Sequence, residues 1–497
     1  MHRVAVRRSL RRRHAWHHPS MKDSPSPAFA QLANAFTRRR SNHDRKLPPG
    51  PEGLPLLGSM VDVRTDALSM FERGRREHGD TVRYRFGPFD MVAIHRPQDI
   101  RTVLLERADD FHKSPTYQGL ELVVGKGLLT SEDQFWRRQR KLMTPAFHHK
   151  RLLGFCDHMV RCSTELADEW DELVANHRGA QLPIVDLHTQ LLSLTFRIVG
   201  LTLFSTELSD KAGDMGPALA TVLEHANHLA VSMLLVPPPW VPTPRNLRFK
   251  AAMQVVDDVV QGIITERRNS REDTGDLLSM LMAATDETGQ IRMSDRELRD
   301  EVATLVLAGH ETTAQALTWT FMLLSRHPVI ERRVVAEIRA VCGDRPPSME
   351  DLAALDYTGR VIDEAMRLYP PAWLIERQAL VDLELDGYSI PAGTLVAISP
   401  WTIHRHPAHW PNPEGFDPDR FLPETVAARP RYTYLPFGGG PRQCIGVNFA
   451  LYEAKLVLAT LLQRFSVELV SGQDLSLEAA VTLRPAHGMK MWLRSRA

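Results

Sequence analysis

The chain has 497 residues, 43% of them hydrophobic and 24% charged, which is ordinary globular composition. Its net charge is +1, but residues 1–46 hold twelve Lys/Arg against Asp23 and Asp44, which makes a tail of +10 and leaves 49 basic and 58 acidic residues, or −9, for the rest. A basic tail on an acidic body excludes a nucleic-acid-binding domain. The absence of any window of about 18 consecutive apolar residues predicts no membrane-spanning helix, and an apolar stretch for a secretory signal is missing from the N-terminus.

Four cysteines (Cys156, Cys162, Cys342 and Cys444) form no C-x-x-C pair and no zinc-like cluster, so no disulfide framework is expected and a reducing, cytoplasmic setting fits. The tail reads as solvated and disordered. Peripheral contact with anionic lipid, a transit peptide and a start at Met21 are the other readings of it. No long linker divides the remainder, which predicts a single unit over 47–497.

In chain order, L-P-P-G-P-E-G-L-P-L-L-G at 47–58 is a Pro/Gly hinge. Strands follow at Thr81–Phe86 and Met91–His95, joined by a turn at Gly87-Pro88. From Glu132 to Glu266 the pattern is mainly helical, broken by a proline-rich loop at 236–244. Ser294 to Arg326 runs 33 residues without proline, a helix of roughly 50 Å. Ser294 and Glu297 form a capping box at its start, and Pro328 ends it. Residues 374–399 are strand-like, with turns at Asp386-Gly387 and Pro391-Ala392-Gly393. The stretch 407–423 is irregular. A glycine-rich loop at 437–440 leads into an apolar helix from Val447 to Leu462, and short strands near 465–470 and 480–493 close the chain. The fold class is mainly α with small β-sheets.

The most specific segment is F-G-G-G-P-R-Q-C-I-G, Phe437 to Gly446. A metal-ligating thiolate needs a depressed pKa, which a helix N-terminus supplies, and N–H donors turned towards the sulfur. Cys444 stands at the start of the 447–462 helix, and flanking glycines allow the tight fold. Gly438, Gly439 and Gly440 leave room for a flat macrocycle, Phe437 offers an apolar plate, and Arg442 a cation for a propionate. A buried structural cysteine after a glycine turn is the plain alternative, and ten residues of matching pattern outweigh it. The loop resembles the cytochrome P450 haem-binding signature, with Phe437, Gly440, Arg442, Cys444 and Gly446 at the matching positions. The resemblance implies the cytochrome P450 fold, a non-covalent haem b and Cys444 as axial iron ligand; C-x-x-C-H, the signature of covalent attachment, is absent.

A-G-H-E-T-T, Ala308 to Thr313, lies midway along the long helix. Leu305, Ala308, Gly309 and Thr312 are spaced to share a face, and the Thr312 hydroxyl can bond back to the Ala308 carbonyl. The segment resembles the family's oxygen-activation motif, in which Thr312 steadies dioxygen and Glu311 helps relay protons. By the same resemblance Glu364 and Arg367 of E-A-M-R join Arg420 as structural support for the Cys444 loop, Asp419 replacing a more usual Glu. Trp136, Arg140 and Arg377 match propionate contacts. His404 reads as structural and His310 as incidental. Arg137 and Arg138 are expected to dock an acidic electron donor.

The resemblance covers about residues 47–495 and implies a soluble, bacterial-type monooxygenase that inserts one oxygen atom of O2 into an apolar substrate. No appended reductase and no G-x-G-x-x-G after a strand are present, so electrons are expected from a separate ferredoxin or flavodoxin with its reductase. A peroxide-using enzyme and a non-catalytic haem sensor are the alternatives, and an intact Glu311-Thr312 pair argues against both. The implied pocket draws on 113–128, 215–240, Thr304–Ala308, Pro371–Ile375 and the turn near Leu483. Leu120, Val123, Leu234, Leu235, Leu305 and Leu374 make it apolar, suited to a fatty-acid or terpenoid-sized substrate.

Overall fold

The computed structural model describes residues 46–496, apart from 207–208, 232–236, 238–239, 271–273 and 284–292. The basic tail, Leu234, Leu235 and part of the 236–244 loop lie outside the described residues. After the Pro/Gly hinge comes α1 (Met60–His78), a 19-residue helix that the sequence reading did not anticipate. Its buried residues Met60, Ala67, Phe71 and Gly74 recur at helical spacing and pack on the sheet below. Strands β1 (Thr81–Phe86) and β2 (Phe89–Ile94) form the expected hairpin, with Gly87 at φ 61° in the turn and β2 beginning two residues early.

Short strand β3 (Phe111–Lys113) precedes α2 (Gln118–Val124), α3 (Asp133–Met143) and α4 (His149–Asn176). Strand β4 (Ile184–Asp186) then leads into α5 (Leu187–Phe204), followed by α6 (Ser209–Val231) and α7 (Pro244–Ser270). The long helix α8 (Asp295–Arg326) starts at a reciprocal capping box. The Glu297 amide donates to Ser294 Oγ (3.3 Å), and the Ser294 amide donates to Glu297 Oε2 (2.7 Å). From Thr313 to Leu324 every residue is buried, so the helix is enclosed on all sides and runs through the centre of the helical layer, its Thr318 and Thr320 hydroxyls satisfied by the carbonyls four residues back. Pro328 opens α9 (Pro328–Cys342), which is followed by α10 (Asp356–Leu368).

Helix α5 lies across α8. The Thr195 hydroxyl donates to the His310 carbonyl (2.9 Å), and Gln315 meets His188 (3.0 Å). Against the expectation that no helix would qualify, α5 is long and apolar enough to cross a membrane by composition, with mean hydropathy 1.3 over 18 residues; 61% of it is buried inside the protein, as in a core helix.

A five-stranded sheet takes the order β1-β2-β8-β5-β3, with β5 (Ile375–Ala379) and β8 (Leu395–Ile398) supplied from far along the chain. Only the β2–β8 pairing is parallel in this sheet. The β3–β5 register sets Lys113 opposite Arg377. Between them in sequence, β6 (Leu383–Leu385) and β7 (Tyr388–Ile390) form a hairpin whose turn residues Asp386 and Gly387 both have positive φ, the backbone of a type I′ turn. Helix α11 (Val447–Arg464) packs on α4 and α8. The C-terminal region is finer-grained than expected. Strand β9 (Phe465–Leu469) pairs with β12 (Lys490–Ser495), while β10 (Leu477–Ala479) pairs with β11 (Leu483–Pro485).

Candidate active site

The Phe437–Gly446 loop is bent at Gly438 and Gly440, at φ 71° and 67°. A methyl group at Gly440 would sit 1.8 Å from the Leu104 carbonyl oxygen, so glycine is obligatory there. The Cys444 amide donates to the Phe437 carbonyl (3.0 Å) and closes the loop. Cys444 is the exposed cysteine; Cys156, Cys162 and Cys342 are buried. Burial raises the pKa of the Cys444 thiol, while the Gly446 N–H and the Arg140 charge lower it. Gly446 is the N-cap of α11, so Cys444 stands two residues before that cap, with the cap's own N–H turned to the sulfur.

Arg442 stacks its guanidinium 3.9 Å over the Trp136 ring, donates to the Ser131 carbonyl (2.7 Å) and pairs with Glu132. Arg140 donates to the Gln443 carbonyl (2.9 Å) and so braces the cysteine loop. Arg377 bonds the Glu376 carbonyl (2.9 Å). Opposite it stands Lys113, which the sequence reading had not singled out. Its pKa falls well below the usual lysine value through burial first, then through Arg442 and Arg377, with Glu132 acting the other way. Lys113 and Arg442 share the Glu132 carboxylate and Arg377 stands beside both, so three cations with little solvent gather around one carboxylate.

On α8 the Thr312 hydroxyl donates to the Ala308 carbonyl at 2.9 Å, as the motif predicts. Glu311 is buried and accepts from the Thr482 hydroxyl (2.7 Å). Ala308, Glu311 and Thr312 line a cavity of about 330 Å³ together with Leu120, Leu307, Trp373 and Leu374. A methyl group at Gly438 would stand 3.8 Å from the Ile375 side chain, and Leu374 and Glu376 on either side of Ile375 line the same cavity, which sets the cysteine loop beside it. Gly309 does not share this face: a methyl there would meet Val199 of α5 at 3.0 Å, so this glycine serves helix crossing. His310 is also turned away, its Nδ1 on the Val306 carbonyl and its ring against Phe196. A separate polar cleft between Arg339, Gly343 and Arg464 contains none of the predicted site residues.

The predicted support is assembled. Arg367 grips Glu364 with Nε (2.6 Å) and Nη2 (2.8 Å), and bonds the carbonyls of His404, Pro413 and Gly415. Arg420 lies 3.3 Å from Glu364 and bonds the Pro411 and Asn412 carbonyls. Asp419 pairs outward with Arg333 and Arg360. His404 accepts the Leu435 amide at 2.8 Å, and burial depresses its pKa to about 3, so it is a neutral structural acceptor two residues before the cysteine loop. Of the two arginines expected to dock a donor, Arg138 pairs with Glu297 of the α8 capping box and Arg137 with Asp109.

The Cytochrome P450 family profile matches residues 48–489, and the chain belongs to that family. Pentalenene oxygenase of Streptomyces avermitilis is 36% identical over 462 residues, covering 92% of this chain and 99% of that one. Cyclooctatin synthase of Streptomyces melanosporofaciens is 38% identical over 427 residues, covering 85% and 90%. Among solved structures, retinoic acid bound cyanobacterial CYP120A1 superposes with a TM-score of 0.80 at 26% identity, covering 91% of this chain and all of that one. The protein is a cytochrome P450 monooxygenase, and its family implies a haem-thiolate group. The residues present fit that group: the exposed Cys444 in its glycine cradle would take the iron, and the surplus cations Lys113, Arg377 and Arg442 suit the two propionates.

Proposed function

We propose that the protein inserts one oxygen atom of O2 into a neutral, apolar, terpenoid-sized substrate, with residues 47–497 acting as one haem b-binding unit. Electrons come from a separate ferredoxin or flavodoxin with its reductase, in a cytoplasmic setting. The observation that carries this reading is the pairing of Glu311 and Thr312 at the wall of a mainly apolar cavity. When bound, the haem supplies a thiolate-ligated iron at which O2 is reductively activated.

The chain's own residues do the rest. Leu120, Leu307, Trp373 and Leu374 exclude water and hold an apolar molecule by burial of its surface. The Thr312 hydroxyl donates its hydrogen bond to the Ala308 carbonyl, which leaves its oxygen lone pairs to hold a water in the groove. Glu311, steadied by Thr482, passes protons inward to that position. Relatives named for terpenoid oxygenation support the substrate class. The test is reconstitution with a ferredoxin, its reductase and labelled O2 against a panel of cyclic terpene hydrocarbons. One labelled atom per product is expected; product that carries no label, or that forms only with hydrogen peroxide, overturns the reading.

A further inference from the structure

The cavity that holds Ala308 and Thr312 extends past Trp373 and Leu374 to Phe86, Phe89 and Met91 at the sheet. Among the described residues lining it there is no lysine, arginine or histidine, yet there are two acids. One, Glu311, is bonded to Thr482 at the reactive end. The other, Glu376, has no place in the proposed chemistry.

Glu376 sits on β5, only 8% exposed, and its Oε2 accepts the Thr116 hydroxyl at 2.5 Å. No cation pairs with its carboxyl among the described residues. Its strand neighbour Arg377 points to the other face, bonding the Glu376 backbone carbonyl and serving the cation cluster. Thr116 is in turn held by Ser114 Oγ (3.0 Å), so the group is fixed in place. Burial raises the pKa of Glu376, with Thr116 opposing, which favours the neutral acid, a group that both donates and accepts.

We propose that Glu376, positioned by Thr116, is the polar anchor of the substrate channel: it hydrogen-bonds a hydroxyl group carried by an otherwise apolar substrate, and the channel refuses substrates bearing a carboxylate. The proposal rests on reading this cavity as the substrate's. The physical reason is one of pairing. A desolvated acid gains most from a partner that can both accept and donate, whereas a carboxylate would enter a space with two acids and no counter-charge. The protein is thereby assigned a substrate that has already been hydroxylated or made as an alcohol, rather than a free fatty acid or a bare hydrocarbon.

Four probes of one carbon skeleton test this on the holoenzyme: farnesol, farnesene, farnesoic acid and farnesylamine, with dissociation constants from equilibrium dialysis. Farnesol should bind about tenfold tighter than farnesene, the worth of one good hydrogen bond, and farnesoic acid weakest. Glu376→Leu should erase the preference for farnesol while farnesene binds at least as well. Glu376→Gln, which keeps both a donor and an acceptor at that point, should keep part of that preference and still exclude the acid, since no counter-charge lines the cavity. Thr116→Val, far milder for folding, should lower the farnesol-to-farnesene ratio in the same direction.

An unchanged ratio in Glu376→Leu and Thr116→Val, tightest binding of the amine, or failure of all four probes in wild type overturns the proposal. The reading of function is judged separately. Farnesol bound with the stated preference but never oxygenated would overturn that reading and leave the anchor standing, while failure of the probes in a protein that incorporates labelled oxygen into another substrate would do the reverse.

Discussion

Thr312 is fixed by its bond to the Ala308 carbonyl, so the hydroxyl oxygen is held at one point of the cavity wall. Replacement by Ala removes that oxygen and leaves the cysteine loop and the cations untouched. Thr312→Ala should therefore retain haem and substrate binding while product formed per NADPH falls about a hundredfold or more and released hydrogen peroxide rises to match. Simultaneous measurement of NADPH, peroxide and product checks this; an unchanged product ratio would reduce Thr312 to a packing residue. At this scale the sequence reading picked out the residues that lie in one short motif, as at Cys444, Arg442 and Glu311. It missed Lys113, whose role exists only because the β3–β5 register brings it opposite Arg377. It misplaced Gly309, because helical spacing says which residues share a face but not which face meets α5.

At the start of α8 two neighbouring acids clamp the loop before α3: Asp300 accepts the Lys126 amide (2.9 Å) and Glu301 the Leu128 amide (3.0 Å). Burial, assisted by Asp300 and Glu297, raises the Glu301 pKa to about 7. The folded protein thus keeps a proton that the unfolded chain releases near the ordinary glutamate value. This contribution to stability is full below that value and is lost as pH rises through about 7. Glu301→Gln keeps an acceptor for the Leu128 amide without the charge. Its melting temperature should match wild type near pH 5 and exceed it at pH 8, by a free energy on the order of 2 kcal/mol. A variant less stable than wild type at pH 8 would show the carboxylate to be well accommodated. Helix α8 itself was legible from Ser294, Glu297 and Pro328, which act locally. Helix α1 was not, because its buried stripe of Met60, Ala67 and Phe71 is interleaved with Asp62, Arg64 and Arg73 and follows a hinge of prolines.

Across the molecule, Arg367 joins α10 to the irregular 404–415 region through three carbonyls and Glu364, all without solvent contact for either charged side chain. Arg367→Ala would strand Glu364 and those carbonyls in the interior, at about 3–5 kcal/mol. Loss of cooperative unfolding and of the thiolate absorption band of the carbon-monoxide complex is expected. Arg367→Lys should not restore them, since an ammonium cannot reach the same set of acceptors. A melting temperature within a few degrees of wild type would contradict this. The mainly α class with small sheets was readable from motif order and proline spacing, while the mixing of β5 and β8 with β1 and β2 was not, since no local pattern encodes a pairing between segments so distant in sequence.

The three cations Lys113, Arg377 and Arg442 come from three remote stretches of chain and repel one another across a desolvated gap. A dianionic ligand there binds the native chain and not the unfolded one, so it shifts the folding equilibrium by mass action. The apoprotein should unfold several degrees below the holoprotein, and Lys113→Gln should narrow that difference by raising the apoprotein's melting temperature; equal melting temperatures for apo- and holoprotein would oppose it. In a cell the consequence is economic: the supply of porphyrin sets how much of this polypeptide survives proteolysis, so that enzyme abundance follows cofactor synthesis without any dedicated regulator.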